Sequence, residues 1–429
     1  MDLEAIPGVG AKTADALGDL DDPAGAIERE DVAALASAPG VSEGRAARIV
    51  RSAIRDRHDD PGGFLATDRA REIYDAALSL LQERAVTTYA ERRLETFYPS
   101  ATASRVEETR EFARRAMERS VAPDALEALA DVTPLSRPQS VTVRDRCLAT
   151  TDGETYATAR EAFPEMSVEV VDDARDLADL ARGYSTVIAL DEAFAGVDVD
   201  GDVRVEPNAL DDPATTVPER TLAFFATNRS TIRAAIEVHR AAGLDPDVDL
   251  EELGGALAAL DDDGSVVGDA ELERLATAVD DLDAAASTAE SIANDRLKEA
   301  IKERNVTIEG SDLLSLVERG AGVDSLLSRE LADEFDAAVA EARANLIDAL
   351  DLAENEAEIA RRAFPDDPTY PVERDEETVA RLRESLVAER DRRAAKRKRE
   401  LAADLADRRE ATRRLVRTAL ELDVEYAIA

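Results

Sequence analysis

The first 58 residues contain one short segment twice, and this duplication is the strongest constraint that the sequence places on the fold. Pro7-Gly8-Val9 and Pro39-Gly40-Val41 each follow an apolar residue and precede a helical pattern, and superimposing them aligns the flanking apolar positions. Glycine permits the positive φ of a tight turn. The next helix offers unpaired amides and a positive dipole end, which suit a phosphate. We therefore expect two hairpins that bury a common core.

The string Pro-Gly-Val-Gly at residues 7–10 resembles the helix-hairpin-helix DNA-binding motif. In that family the hairpin amides and a nearby basic or hydroxyl residue hold the DNA backbone, which carries no base sequence information. The second copy departs from the pattern because it has Ser-Glu-Gly at residues 42–44. The alternative is that the hairpins are packing turns or protein-binding modules. By position, the resemblance implies DNA-binding roles for Gly8, Val9, Gly10, Lys12, Thr13, Gly40, Gly44 and Arg45.

The chain is strongly acidic, with 94 Asp and Glu residues against 53 Lys and Arg residues in 429, and a formal net charge of −41. Hydrophobic residues still make up 44% of the chain, which is enough for a folded core. Only five of the basic residues are lysine. Dispersed acids with scarce lysine are what we expect of a halophilic protein, whose surface repulsion is screened by molar salt. The negative net charge therefore does not exclude DNA as a partner.

Several classes of protein are excluded or disfavoured by composition. Cys147 is the only cysteine, so no internal disulfide and no cysteine zinc cluster can form. The two histidines, His58 and His239, are too few for most histidine metal sites. No apolar run is long enough to span a membrane, and the first residues lack the basic start of an export signal. We expect a cytoplasmic protein with no membrane partner.

The hydrophobic periodicity predicts a mainly α-helical chain with a small α/β domain, a helical core and a long antiparallel coiled-coil-like arm. The resemblance of the two hairpins adds a tandem helix-hairpin-helix head. Short β-branched runs at 141–143, 167–171 and 186–190 alternate with helical stretches at 153–162 and 173–182, which indicates a parallel βαβαβ unit. The predicted domains are 1–60, 64–135, 139–210, 218–322 and 323–429.

The last domain is expected to be a pair of long antiparallel helices. The helical patterns at about 323–363 and 375–425 are joined by a short proline-containing loop at 364–371, and a tight connection favours antiparallel packing. A coiled-coil-like seam is predicted between two sets of side chains. The sets are Leu327, Leu331, Val339, Leu346 and Leu350, and Val379, Leu382, Leu386, Leu401, Leu405 and Val416.

Residues 78–117 resemble the opening of the MutS family core, in its branch without a mismatch-reading domain and of halophilic archaeal type. The resemblance comprises a helix with a mid-helix Thr, the Phe97-Tyr98-Pro99 break and a following acidic helix. The order of the later parts fits a connector, lever helices and a clamp. The resemblance implies a DNA repair or recombination protein and a homodimer or a partner ATPase chain. ATP and Mg²⁺ belong to an ATPase domain whose phosphate-loop motif is missing here, so we expect no cofactor.

A dense positive run near the end of the chain has two interpretations. It could neutralise phosphates or an acidic partner, or it could be a solvated helix face that pairs with nearby Asp and Glu side chains. The sequence does not decide between them. The run comprises Arg392, Arg393, Lys396, Arg397, Lys398 and Arg399.

Three functions remain open. The favoured one is a DNA-binding protein similar to the non-ATPase part of MutS, without catalysis of its own. The second is a coiled-coil docking protein that binds another protein. The third is an enzyme that uses the acid pairs at 172–173, 211–212 and 261–263, for which the sequence offers least because such pairs recur throughout an acidic chain. We predict no catalytic and no metal-binding residue.

Overall fold

The computed structural model describes residues 3–20, 22–60, 62, 64–138, 140–197, 201–303, 331–366 and 370–429. These residues are mostly helical with one small parallel sheet, as the sequence predicts. The chain forms two compact units. The first comprises residues 1–267 and 398–429, and the second comprises residues 268–397.

The N-terminal head consists of four helices, Ala11–Gly18 (α1), Pro23–Glu28 (α2), Val32–Ala36 (α3) and Glu43–Arg57 (α4). Helix α2 begins with a proline, whose missing amide costs nothing at this position. The head packs around side chains that are fully buried, namely Leu17, Ile27, Leu35, Ile49 and Ile54. The two predicted hairpins therefore do bury a common core.

Four more helices follow the head, Asp68–Gln82 (α5), Thr88–Leu94 (α6), Ala103–Met117 (α7) and Pro123–Leu129 (α8). The predicted break at residues 98–100 lies in the segment between α6 and α7. Tyr89 and Leu94 of α6 are fully buried in the same hydrophobic cluster as the head. The head and these helices consequently share one core.

The α/β part has four parallel strands, Arg146–Thr150 (β1), Ser167–Val170 (β2), Thr186–Ala189 (β3) and Val203–Val205 (β4). Their spatial order is β2-β1-β3-β4. The helices Gly153–Ala162 (α9) and Ala174–Gly183 (α10) connect the first three strands. The prediction of a parallel βαβαβ unit is confirmed.

Two details of the sheet differ from the prediction. The first strand lies at 146–150 and not at 141–143, where the Val143 amide bonds to the carbonyl of Glu165 at 3.0 Å. Strand β1 is central and every residue in it is buried, so it lacks the alternation and β-branched run that mark a strand in sequence. The fourth strand was missed because it has only three residues.

The first unit continues with the helices Pro213–Thr216 (α11), Pro218–Thr227 (α12), Arg229–Ala242 (α13) and Leu250–Ala258 (α14). Helix α13 ends at Gly243, whose φ of 63° is the left-handed conformation that glycine adopts without strain. Helices α12 to α14 contribute Leu222, Ile236 and Leu253 to the core that the head shares.

The second unit contains the helices Ala270–Glu303 (α15), Ala332–Ala349 (α16) and Glu354–Ala360 (α17). It also contains the first part of the helix Glu376–Ile428 (α18). The predicted single helix at 323–363 is wrong in its described part, because it breaks between α16 and α17, where Asp351 has a φ of 49°. Residues 304–330, including Leu327, lie outside the described residues.

The predicted antiparallel seam is divided between two cores. Val379, Leu382 and Leu386 lie in one hydrophobic cluster with α15 and α16, together with Leu331, Val339, Leu346 and Leu350. Leu401, Leu405 and Val416 lie instead in the core of the first unit, so the predicted seam is wrong beyond Leu386. The physical reason is length, since the 18 residues of α16 extend only about 27 Å.

Within the described ranges, every helix is either too short or too polar to cross a lipid bilayer.

Candidate nucleic-acid interface

The two hairpins have the same backbone hydrogen bonds at an offset of 32 residues. The Val9 amide donates to the carbonyl of Ile6 at 3.0 Å, and the Val41 amide donates to the carbonyl of Ala38 at 3.1 Å. Both valine side chains are buried. Because the same bonds recur at the same spacing, the two copies are structural repeats as well as sequence repeats.

The turn glycines have the conformation that the motif requires. Gly8 has a φ of 94° and Gly40 a φ of 75°, a region that L side chains rarely adopt. A methyl group built at Gly8, Gly10 or Gly40 would meet no heavy atom of the described residues within 4 Å. The two corners are therefore exposed, and a polymer backbone can approach them closely.

The amides at the start of α1 face this open corner. Gly10 precedes the helix and has no side chain that could cap it. Among the described residues, no acceptor bonds to the amides of Gly10, Ala11 and Lys12, whereas the Thr13 amide bonds to the Gly10 carbonyl at 2.7 Å. Free first-turn amides at the positive end of a helix form a site for an anion.

Other helices of the head are capped by their own side chains. Asp22 accepts a hydrogen bond from the Gly25 amide at the start of α2, and Asp31 accepts one from the Ala34 amide at the start of α3. Ser42 precedes α4 but makes no such cap. Helices α1 and α4, which follow the two Pro-Gly-Val turns, therefore have no side-chain cap, whereas α2 and α3 are capped.

Lys12 and Thr13 of the first copy play different structural parts. Lys12 is exposed in the first turn of α1. Thr13 is 5% exposed, and its Oγ1 accepts a hydrogen bond of 2.6 Å from Nη2 of Arg45 in the second copy. Two of the predicted DNA-binding residues are therefore bonded to each other, and Lys12 is the exposed cation beside the free amides.

The start of α4 in the second copy differs from the start of α1 in the first copy, because it packs near α6. Glu43 occupies the first turn of α4, and burial raises the pKa of its carboxyl group, an effect that nearby Arg92 opposes and Glu91 reinforces. A methyl group at Gly44 would lie 3.8 Å from Cδ of Arg92. The first amides of α4 therefore lie close to the Glu43 carboxylate and to helix α6.

Two arginines near the hairpins were not singled out from the sequence. Arg48 is exposed on α4, and its Nε donates to the Gly44 carbonyl at 3.2 Å. Arg92 of α6 lies beside Gly44 and is paired with Glu95 at 2.7 Å. The i, i+3 spacing of Arg45 and Arg48 could have identified the first, whereas only packing brings Arg92 to the second hairpin.

The positive run near the C-terminus is partly neutralised within its own chain. In the second unit, Asp269 pairs with Arg393 at 2.6 Å and with Arg397 at 3.0 Å. Arg392 pairs with Glu389 at 3.0 Å, and Lys396 is exposed. In this unit, Arg392, Arg393 and Arg397 are therefore paired with acidic residues of the same chain.

Lys398 and Arg399, which end the run, belong to the first unit. Burial and the nearby charges of Arg204 and Arg146 lower the pKa of the Arg399 guanidinium, while Asp202 and Glu206 act in the opposite direction. Arg399 consequently lies in a mixed charge environment at the edge of the sheet that carries β4.

Cys147 and His239, which the sequence analysis also considered, are both buried in the folded protein. Cys147 is fully buried in β1, and burial raises the pKa of its thiol to about 12. His239 is 2% exposed on α13 and bonds through Nε2 to the Leu415 carbonyl at 3.0 Å. In the part of the chain that the structure describes, no group of three or more His, Cys, Asp or Glu side chains is arranged around a possible metal ion.

Comparison with known families agrees with this geometry at the N-terminus. Residues 1–56 match the family described as a SAM-like helix-hairpin-helix tandem. No curated protein and no solved structure is significantly similar to the chain. The matched tandem domain suggests nucleic-acid binding, and it covers the two hairpins with their open corners.

Proposed function

We propose that the protein binds the sugar-phosphate backbone of DNA through the first hairpin, without reading base sequence. The observation that carries this proposal is the uncapped start of α1, where the amides of Gly10, Ala11 and Lys12 lie beside the exposed Lys12 side chain. A phosphate there would accept hydrogen bonds from the backbone amides and from the Lys12 ammonium group. Because the phosphate is charged, these hydrogen bonds are stronger than those between neutral groups.

The second hairpin has a supporting role in this proposal. Gly40 is open to approach, and Arg45 and Arg48 place two cations on α4. Glu43 places a negative charge at the start of the same helix, which disfavours a phosphate at that position. The first copy therefore makes the tighter backbone contact, and the second adds longer-range attraction.

The test uses two variants of the first copy with a labelled DNA duplex in molar KCl. Gly10→Val blocks the corner, and its φ of −98° is one that valine can adopt. Lys12→Glu reverses the charge beside the amides. We expect each variant to weaken binding about tenfold or more in fluorescence anisotropy, as the loss of a charge-assisted contact implies.

The matched control is Arg69→Glu, which makes the same charge change on an exposed side chain of α5. We expect this control to bind DNA as the wild type does, because the effect of Lys12 is local. If Gly10→Val and Lys12→Glu bind with unchanged affinity, the first hairpin is not the DNA site. The docking function, in which the hairpins are packing turns, would then be favoured.

We further propose that this binding serves DNA repair or recombination, as in the non-ATPase part of a MutS-like protein, with no catalysis by these residues. The support is the order of parts: a helical segment with a break at 98–100, a small parallel α/β domain and then long helices. The proposal includes a homodimer or a partner ATPase chain and, from the acidic, lysine-poor composition, a salt-rich cytoplasm.

Two measurements test this finer proposal. Affinity for branched or mismatched DNA should exceed affinity for a plain duplex of the same length by at least about threefold, and light scattering at micromolar concentration should give the mass of a dimer. Equal affinity for all of these substrates together with a monomeric mass would contradict a MutS-like role while leaving backbone binding intact.

The positive run is proposed as a secondary contact to DNA. Lys396→Glu with Lys398→Glu should lower DNA affinity, while the internally paired Arg393 and Arg397 stay in place. If the double variant changes only the melting temperature, the run is a solvated helix face.

A further inference from the structure

A serine, a histidine and a glutamate are joined by hydrogen bonds where α4 ends beside the start of α7. The Oγ of Ser104 lies 2.8 Å from Nδ1 of His58, and Nε2 of His58 lies 3.2 Å from a carboxylate oxygen of Glu108. Ser104 and Glu108 are four residues apart on α7 and share one face of it, and His58, the residue after α4, bridges them. A hydroxyl, an imidazole and a carboxylate in this order are the arrangement of a serine nucleophile, its base and the group that orients the base.

The carboxylate of Glu108 sets the tautomer of the imidazole. An ionised carboxylate only accepts hydrogen bonds, so Nε2 of His58 donates to Glu108 and Nδ1 is left to accept the proton of the Ser104 hydroxyl. Burial raises the pKa of the Glu108 carboxyl, but the hydrogen bonds and charges of Arg105 and His58 outweigh that effect, so the pKa lies below its ordinary value. Glu108 is therefore ionised at neutral pH and stabilises the imidazolium that forms when His58 accepts a proton.

The exposure of these side chains suits a nucleophile and its base. Ser104 is exposed, whereas the side chain of His58 is only 11% exposed. Arg105, which is 2% exposed, donates a hydrogen bond of 2.8 Å to Glu108 and holds the carboxylate in place. A substrate can therefore reach the hydroxyl, while the imidazole is largely shielded from water and the carboxylate is anchored.

The start of α7 supplies donors for an oxyanion. Thr102 precedes the helix and gives no side-chain cap. Within the described ranges, no acceptor bonds to the amides of Ala103 and Ser104, whereas the Val106 amide bonds to the Thr102 carbonyl at 3.1 Å. Backbone amides at a nucleophilic serine, including its own, stabilise the negative oxygen of a tetrahedral intermediate. Hydroxyl, base and amide donors therefore meet at the first turn of α7.

We propose that Ser104 is the nucleophile of an esterase site, with His58 as its general base and Glu108 as the residue that positions His58. The Oγ of Ser104 attacks the carbonyl carbon of an ester while its proton passes to Nδ1 of His58, and the alcohol leaves with that proton. Water then attacks the acyl-serine and releases the carboxylic acid. The substrate is an uncharged carboxylic ester, because the carboxylates of Glu108 and Asp60 near His58 disfavour an anion. This activity goes beyond DNA binding and departs from the sequence-based prediction of no catalytic residue.

The test is hydrolysis of p-nitrophenyl acetate by the full chain in molar KCl, together with labelling by a fluorophosphonate probe. We expect peptide mass spectrometry to place the label on Ser104. Ser104→Ala should abolish the labelling and the catalysed turnover, and His58→Gln should lower the turnover about a hundredfold or more. Glu108→Gln should lower kcat about tenfold or more with KM unchanged, because Glu108 acts only through His58. The matched control is Ser79→Ala, which removes an exposed serine from α5 and should leave both readouts unchanged.

A second measurement keeps the proposal testable if His58→Gln fails to fold. Ser104→Cys places a thiol beside His58, so iodoacetamide should alkylate it at least about tenfold faster than the thiol of Ser79→Cys at the same pH. Cys147 does not interfere because it is fully buried. Ser104→Ala should bind DNA as the wild type does, which separates this site from the hairpin function. Failure of the probe to label Ser104, wild-type turnover in Ser104→Ala, or equal alkylation of the two introduced thiols would each overturn the proposal.

Discussion

Arg45 donates a hydrogen bond of 2.6 Å to the hydroxyl of Thr13, and the two residues occupy equivalent positions of the two hairpins, 32 residues apart. The side chain of one repeat thus binds the corresponding position of the other. Thr13 is only 5% exposed, so losing this hydrogen bond would leave a buried polar group without a partner, which costs free energy. The contact fixes one copy against the other and orients the cation of the second copy.

The first prediction concerns this contact. Thr13→Val and Arg45→Met should each lower the free energy of unfolding, and the double variant should lose less than the sum of the two. The coupling energy should be about 1 kcal/mol, the usual contribution of a hydrogen bond. Urea titrations of the four proteins measure it. Strictly additive losses would mean that the bond contributes nothing to stability.

The second prediction concerns Glu43. Burial raises the pKa of its carboxyl above the ordinary value of 4.5, so the folded protein disfavours the ionised form at neutral pH. Glu43→Gln should therefore increase stability at pH 7, and the difference from the wild type should shrink as the pH falls through the raised pKa towards 4.5, because the wild-type carboxyl then binds its proton. Arg92 and Glu91, the charged groups that face it, remain in both proteins.

The same variant should bind DNA more tightly at pH 7, because it removes a negative charge from the start of α4. Urea titration and fluorescence anisotropy across pH 4.5 to 8 measure the two effects. A stability difference that does not depend on pH, or a loss of DNA affinity, would contradict this account of Glu43.

The third prediction concerns the ion pairs that join the head to the next helices. Glu30 pairs with Arg93 at 3.0 Å and with Arg105 at 3.2 Å, and both arginines are buried. Glu30→Gln would remove the carboxylate that these two buried cations share. Arg93 keeps its pair with Glu421 at 3.2 Å and Arg105 keeps its pair with Glu108 at 2.8 Å. The cost should therefore be about 1.5–3 kcal/mol, the range for a hydrogen bond to a charged group. Urea denaturation measures the loss.

A suitable control is Glu72→Gln, because the pair of Glu72 with Arg69 is exposed on α5. This change should cost less than about 1 kcal/mol. Similar losses for the Glu30 and Glu72 variants would show that the buried cations find other partners or water.

The fourth prediction concerns Cys147. Its thiol is fully buried and its pKa is raised to about 12, so thiolate is scarce near neutral pH. A thiol reagent at pH 8 should leave the native protein unmodified and should label one equivalent after denaturation. Rapid labelling of the native protein would mean that β1 opens easily or that the thiol is accessible.

Local signals in the sequence predict much of the fold. The turn glycines appear as Pro-Gly-Val, and an aspartate stands directly before each of the helices α2 and α3 and caps it with its side chain. The alternation of β-branched runs with helical stretches predicts the parallel sheet. The first strand was misplaced because β1 is buried on both faces and carries Arg146, whose charge is paired with Glu219 at 2.5 Å. Nothing near Arg146 in sequence predicts that partner.

The duplicated turns, the helical character of the chain and the lysine beside the first hairpin can be predicted from the amino-acid sequence, because these features depend on backbone conformation and spacing within about ten residues. The bond of Arg45 to Thr13 and the position of Arg92 beside the second hairpin follow from the packing of the folded chain. These features join distant residues, as when Asp423 accepts a bond from the Thr87 amide 336 residues away. Their geometry depends on how a shared core packs, and no local pattern encodes that.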